Sequence, residues 1–180
     1  MQNPVKAQRA IGALFFSLFG GAWLELGVYR ALRGRTAALA IAAILIALGA
    51  AALFGLALSR YREHRSALAA AAGTPAKARA DRLFHLINVG QWVLILIVGN
   101  VLANVGLSAW VLPAAIFIVG LHLLPLAVIL SNPTHYATGG ALILLAGAYP
   151  FLAAGGPADP IGCLGAGLIL WGSALWAVMA

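Results

Sequence analysis

The sequence predicts an all-α polytopic membrane protein, a compact bundle of about six transmembrane helices. Three observations predict it. Apolar residues make up 63% of the chain and charged residues 8%, far from the roughly half-apolar, quarter-charged make-up of a soluble domain. Apolar runs of the ~20 residues that cross ~30 Å of hydrocarbon recur six times with little chain left over. The Lys and Arg residues behind the net charge of +7 lie at the ends of these runs, the pattern of membrane orientation and not of nucleic-acid binding. Residues 1–180 thus read as a single transmembrane domain without a soluble module.

The first run, 11–29, is IGALFFSLFGGAWLELGVY. It is longer than the apolar region of a signal peptide and carries Glu25, so it is expected to be retained as a helix. The second, 36–58, is mostly Ala, Leu and Ile, and its alanines let a neighbouring helix come close. Residues 59–82, SRYREHRSALAAAAGTPAKARADR, form the one long hydrophilic segment. They are expected to be a basic cytoplasmic loop, broken at Gly73, Thr74 and Pro75 into two short basic pieces that can be helical and lie along anionic lipid headgroups.

The third run, 83–105, and the fourth, 107–130, are separated by a short uncharged turn and form a hairpin. Asn132-Pro133 reverses the chain before the fifth run, 137–154. His135 and Tyr136 at that turn are expected at the membrane interface. The GGPADP cluster then precedes the sixth run, 161–180. That run ends without a polar tail, which suggests a very short native terminus or a shortened chain.

With the amino terminus in the cytoplasm, the inner face holds eight basic residues: Lys6, Arg9 and the six of 59–82. The outer face then holds Arg30, Arg33 and Arg35. The inside-positive bias therefore places both termini in the cytoplasm, and the expected location is the bacterial inner membrane. A membrane partner or a second copy of the chain is compatible with this layout.

Ionisable and polar groups at membrane depth are the candidates for function, because each costs ~2.5–3.5 kcal/mol at a helix centre when charged. Glu25 is the only acid inside a run. It reads either as a proton or cation ligand or as an interfacial acid paired with Arg30 or Arg33. On the third run His85, Asn88, Trp92, Gly99 and Asn100 fall within roughly one third of a helix circumference, with Gln91 and Asn104 to either side. That stripe is expected to face the bundle interior, as pocket lining or as interhelical glue.

On the fourth run His122 and Pro125 stand three residues apart. Proline cannot donate to the carbonyl of Leu121, so it is expected to act as a hinge that frees an acceptor beside an imidazole. Such backbone must be buried in protein or hydrated. The stretches GLHLLPLA and NVGQW and the overall length resemble small bacterial multi-helix membrane proteins. The resemblance covers the layout of about three helices and implies no activity.

Several classes are disfavoured. One cysteine, Cys163, allows no internal disulfide, and no Cys/His cluster points to a soft metal. His85 lies near the start of its helix and His122 ~12 Å deep, so the two do not face each other across a haem iron, and no cofactor is predicted. Gly106-Leu107-Ser108 has no later catalytic histidine beyond His135, and no HExxH or aspartate pair occurs, which argues against an enzyme. The expected function is a small transporter or channel-like protein with a polar pocket formed by the third and fourth helices, shaped by Trp23 and Trp92. The alternative is a non-catalytic accessory membrane protein whose polar residues only hold helices together, with a membrane enzyme or haem carrier as the third and least favoured class.

Overall fold

The structure is a computed structural model that describes residues 3–69 and 74–180. It holds six α-helices and, among the described residues, no strand: α1 (Pro4–Ala31), α2 (Thr36–Ala69), α3 (Pro75–Asn104), α4 (Val111–Ile129), α5 (Thr134–Leu152) and α6 (Ile161–Met179). Single 3-10 turns precede α4 at Ser108–Trp110 and α6 at Gly156–Ala158. All but α5 are long and apolar enough to cross a membrane, which supports a multi-pass membrane protein. Of the polar residues of α5, His135, Thr138 and Tyr149 are buried, Thr134 is half-buried and Tyr136 is exposed.

The helix starts follow local chemistry. Asn3 Oδ1 accepts from Val5 N–H at 2.9 Å with Pro4 in the first turn, and Thr74 Oγ1 accepts from Lys77 N–H at 3.3 Å with Pro75 following. In each case a side-chain oxygen satisfies an orphan donor, and proline occupies a position that needs none. The ends of α3 and α4 share one device. Leu107 N–H donates to Leu102 O at 2.8 Å around Gly106, at φ 79°, and Asn132 N–H donates to Ala127 O at 2.9 Å around Ser131, at φ 48°. Both are Schellman caps, the second with a serine where glycine is usual.

Residues 59–69 and 75–82 of the hydrophilic segment are helical, not a loop. Residues 59–69 continue α2, and α3 starts at Pro75, so the basic residues stand on helical extensions of the two spans. Arg, Glu, Ala, Leu and Lys are strong helix formers and nothing before residue 70 stops the helix. The break expected at Gly73 lies outside the described residues. With 34 residues α2 is ~51 Å long, against ~30 Å of hydrocarbon.

The chain divides into two compact units, 1–77 with 163–180, and 78–162. In the first, α1, α2 and α6 meet on small residues. The covered stripe of α2 runs through Ala42, Ala43, Ile46, Gly49, Ala50, Leu53, Phe54 and Ala57, while Ile41, Ile44, Leu45 and Leu48 point outward at 60% exposure or more. Ile46, Leu53 and Phe54 apart, small residues lie inside and large apolar ones outside, which suits a lipid surround, where close approach of backbones drives association.

Gly20 and Gly21 of α1 and Gly49 of α2 all face the indole of Trp171 on α6. A Cβ at Gly49 would lie 2.6 Å from that ring, and one at Gly20 would meet its Cδ1. Lower down, Gly27 opposes Leu164, where a Cβ would come within 2.7 Å. In the second unit, α4 and α5 cross at Gly120 and Gly139. A Cβ on Gly120 would sit 2.8 Å from Gly139 O, and one on Gly139 would sit 2.7 Å from Gly120 O. Only glycine permits this approach. The connection onward is pinned by Tyr149 Oη, which donates to Pro157 O at 3.1 Å, and by Asp159, which accepts from Gly155 N–H and Ile161 N–H, both at 2.9 Å.

Candidate functional site

Within the second unit α3 and α4 line an open groove of about 330 Å³. From α3 it is lined by Gly90, Gln91 and Leu94, and from α4 by Ile118, Leu121, His122, Leu124 and Pro125. The glycine leaves open space, since a Cβ at Gly90 would meet nothing within 4 Å. The lining is almost wholly apolar apart from the Gln91 carboxamide and the His122 ring. The volume lies at the lower end of the ~300–1,000 Å³ of small-molecule sites.

His122 is half-buried, and its Nδ1 lies 2.6 Å from Val119 O one turn back. A carbonyl oxygen only accepts, so Nδ1 carries the proton and the neutral ring keeps Nε2 as an acceptor. The helix thereby fixes the tautomer. Its bond goes to Val119 and not to the Leu121 carbonyl that Pro125 leaves without a donor. Helix α4 continues through Pro125, which is exposed, as is Leu121, while Leu123 and Leu126 on the opposite side are buried. The expected inward-facing His-Leu-Leu-Pro turn is therefore split: His122 and Leu123 are covered and the proline is at the surface.

The stripe predicted on α3 is turned by about a quarter of the circumference from the face the structure covers. From residue 83 onward Phe84, Ile87, Asn88, Gln91, Ile95, Val98, Gly99 and Leu102 are the half-buried residues of α3, whereas His85, Trp92 and Asn100 are exposed, Trp92 by 52%. The reason lies in the amides. Asn88, Asn100 and Asn104 each donate Nδ2–H to a carbonyl of their own helix, that of Phe84, Leu96 and Asn100, at 2.8 Å each. A carboxamide paired with its own backbone has less need of a neighbouring helix.

Of the candidate residues, then, the structure brings His122 and Pro125 to the groove. Asn88 stands one turn from Gln91 on the covered side. His85 packs edge-on against the Phe84 ring, with centroids 5.9 Å apart, away from the groove lining. Glu25 belongs to the first unit, where it is half-buried on α1 and forms no ion pair among the described residues. Gln91 is the polar lining group that the helical arc placed off-centre. Among the described residues no group of three His, Cys, Asp or Glu side chains gathers that would hold a metal ion.

The turn between α4 and α5 is a second polar cluster. Asn132, 2% exposed, accepts from Thr134 Oγ1–H at 2.6 Å through its Oδ1, and Thr138 Oγ1–H donates to Thr134 O at 3.0 Å. His135, expected at the interface, is buried among these residues, while Tyr136 is exposed. This cluster closes the α4–α5 connection.

No family model matches the chain, nor does any curated protein or solved structure.

Proposed function

We propose that this chain is a small membrane transporter or channel-like protein of six transmembrane helices, with both termini cytoplasmic, and that the α3–α4 groove is where its substrate binds. One observation carries the reading: Gln91 and His122, from two different helices, are the polar groups of an otherwise apolar groove. A neutral imidazole held by Val119 O offers Nε2 as an acceptor, and the Gln91 carboxamide adds a donor and an acceptor. This combination fits a small molecule with a mostly apolar body and one hydroxyl or ammonium donor. In the same reading Glu25 carries a coupled proton or cation.

The test is a thermal-shift screen of the detergent-solubilised protein against medium-chain alcohols, amines and inorganic cations at two pH values, with Gln91→Leu, His122→Ala and Glu25→Gln alongside. The expected result is a ligand that stabilises the wild type and neither groove variant. Ligands that stabilise the groove variants as much as the wild type would sink the assignment.

A second reading, a structural or accessory membrane protein, draws support from the amides of Asn88, Asn100 and Asn104, which are satisfied within α3. A flat response across the whole panel favours that reading.

A further inference from the structure

The first turns of α1 and the last turns of α2, both in the first unit, carry basic groups that packing and ion pairing do not use up. The helices are consecutive and antiparallel, and Gly21 faces Ala50, where a Cβ would stand 3.1 Å from the alanine Cβ. Equal steps from that contact toward the basic end reach Arg9 on α1 and Arg62 on α2, about half a turn short of His64. Burial shows that the covered faces continue this far. Ala7, Ala10 and Ala13 are buried on α1, and Ala57, Tyr61 and His64 form one stripe on α2 at helical spacing, buried at its start and half-buried beyond.

At this end two polar atoms are stranded. Arg9 Nε and His64 Nδ1 are buried without a hydrogen-bond partner among the described residues. A guanidinium cannot shed its proton, so a buried Nε–H with no acceptor is a standing cost that a ligand can remove. The only acid on α2, Glu63, already pairs with Arg60 at 3.3 Å. Lys6, Arg62 and Arg65 are exposed and add positive charge around the stranded pair.

The position decides the ligand. Arg9 lies just before the apolar run that opens at Ile11, and His64 lies beyond the one that closes at Leu58, so the pair sits at the depth of lipid headgroups. A phosphodiester there offers several acceptor oxygens and a negative charge, which match the Arg9 Nε–H, the His64 Nδ1 in the tautomer that protonates it, and the surrounding field.

We propose that the α1–α2 basic end is a binding site for the phosphate of an anionic lipid, with Arg9 and His64 as its direct donors and Lys6 and Arg62 as its electrostatic surround. The site differs from a general attraction of the 59–82 segment to a charged membrane, because it depends on two particular side chains.

The experiment is lipid retention by the full-length protein in mixed micelles, read by native mass spectrometry, with phosphatidylglycerol against phosphatidylcholine. Wild type is expected to retain phosphatidylglycerol preferentially. Arg9→Gln and His64→Gln are each expected to weaken retention by about fivefold, the value of roughly one charged headgroup contact. The double variant Arg79→Gln/Arg82→Gln, on α3, is expected to leave retention unchanged. Arg9→Lys keeps charge and bulk but lacks Nε, so it is expected to fall between wild type and Arg9→Gln even if the glutamine variant folds poorly.

Equal retention of the two lipids, wild-type retention by Arg9→Lys and His64→Gln, or an equal loss in the α3 double variant would each overturn the proposal. Millimolar inorganic phosphate is expected not to displace the lipid. Displacement would show that the site reads a free anion and would overturn the lipid assignment.

Discussion

The indole N–H of Trp171 on α6 donates to the backbone oxygen of Ser17 on α1 at 2.9 Å. That oxygen belongs to a helical carbonyl, so the tryptophan borrows a second lone pair from α1 while its ring fills the space left by Gly20, Gly21 and Gly49. Three helices are thus keyed by one side chain.

This keying makes the surrounding glycines unequal to others on the same helices. Gly49→Ala and Gly20→Ala are expected to lower stability by about 1–3 kcal/mol each through overpacking against the indole. Gly55→Ala and Gly172→Ala, where a Cβ would meet nothing within 4 Å, are expected to be neutral or stabilising by up to ~1 kcal/mol. Thermal unfolding in detergent, followed by tryptophan emission, orders the four.

The α4–α5 crossing is expected to tolerate still less. At Gly120 and Gly139 the obstacle to a Cβ is a backbone oxygen on the partner helix. No rotamer relieves it, and the helices must separate. Gly120→Ala or Gly139→Ala should cost at least as much as the Trp171-facing changes, about 2–3 kcal/mol. Gly140→Ala, one residue away and facing open space, is the control.

Ser131 invites a stabilising change. It holds φ 48° at the position that Gly106 occupies, at φ 79°, in the matching cap of α3. An L-residue there costs ~1–2 kcal/mol that glycine does not. Ser131→Gly is expected to raise stability by up to about 1 kcal/mol, after the extra freedom glycine gains in the unfolded chain is subtracted. A lower melting temperature would show that the serine side chain contributes more than its backbone costs.

Pro125 separates packing from function. It is exposed on α4 and lines the groove, so Pro125→Ala restores a donor for Leu121 O without disturbing a buried contact. Stability is expected to hold or rise by roughly 1 kcal/mol. If the groove binds substrate through the shape that the proline ring supplies, affinity in the thermal-shift assay falls at the same time.

What was legible in the sequence follows from which interactions are local. The six helices and the Asn-Pro and GGPADP turns are readable, because apolar length and turn chemistry act within a few residues. Helical pieces within 59–82 are readable from Arg, Glu and Ala, which favour helix, but the unbroken continuation of α2 through 59–69 is not, because charge there reads as the end of the span. The face of α3 was misplaced because Asn88 and Asn100 satisfy themselves on their own backbone, so polarity no longer reports which side is covered. Gln91 could be seen as polar. Its meeting with His122 needed the register of α3 on α4, which no local pattern encodes.

The two-sided surface of α2 has a consequence for how this protein can change over generations. Along its outer side Ile41, Ile44, Leu45 and Leu48 are each at least 60% exposed, so an apolar residue of any size should serve. Along Ala43, Gly49, Ala50 and Ala57 the limit is volume, and a single added methyl group is the unit of damage. A saturation library of this helix would therefore sort by side-chain size on one face and by polarity on the other, and the boundary between the two rules would trace the protein's seam.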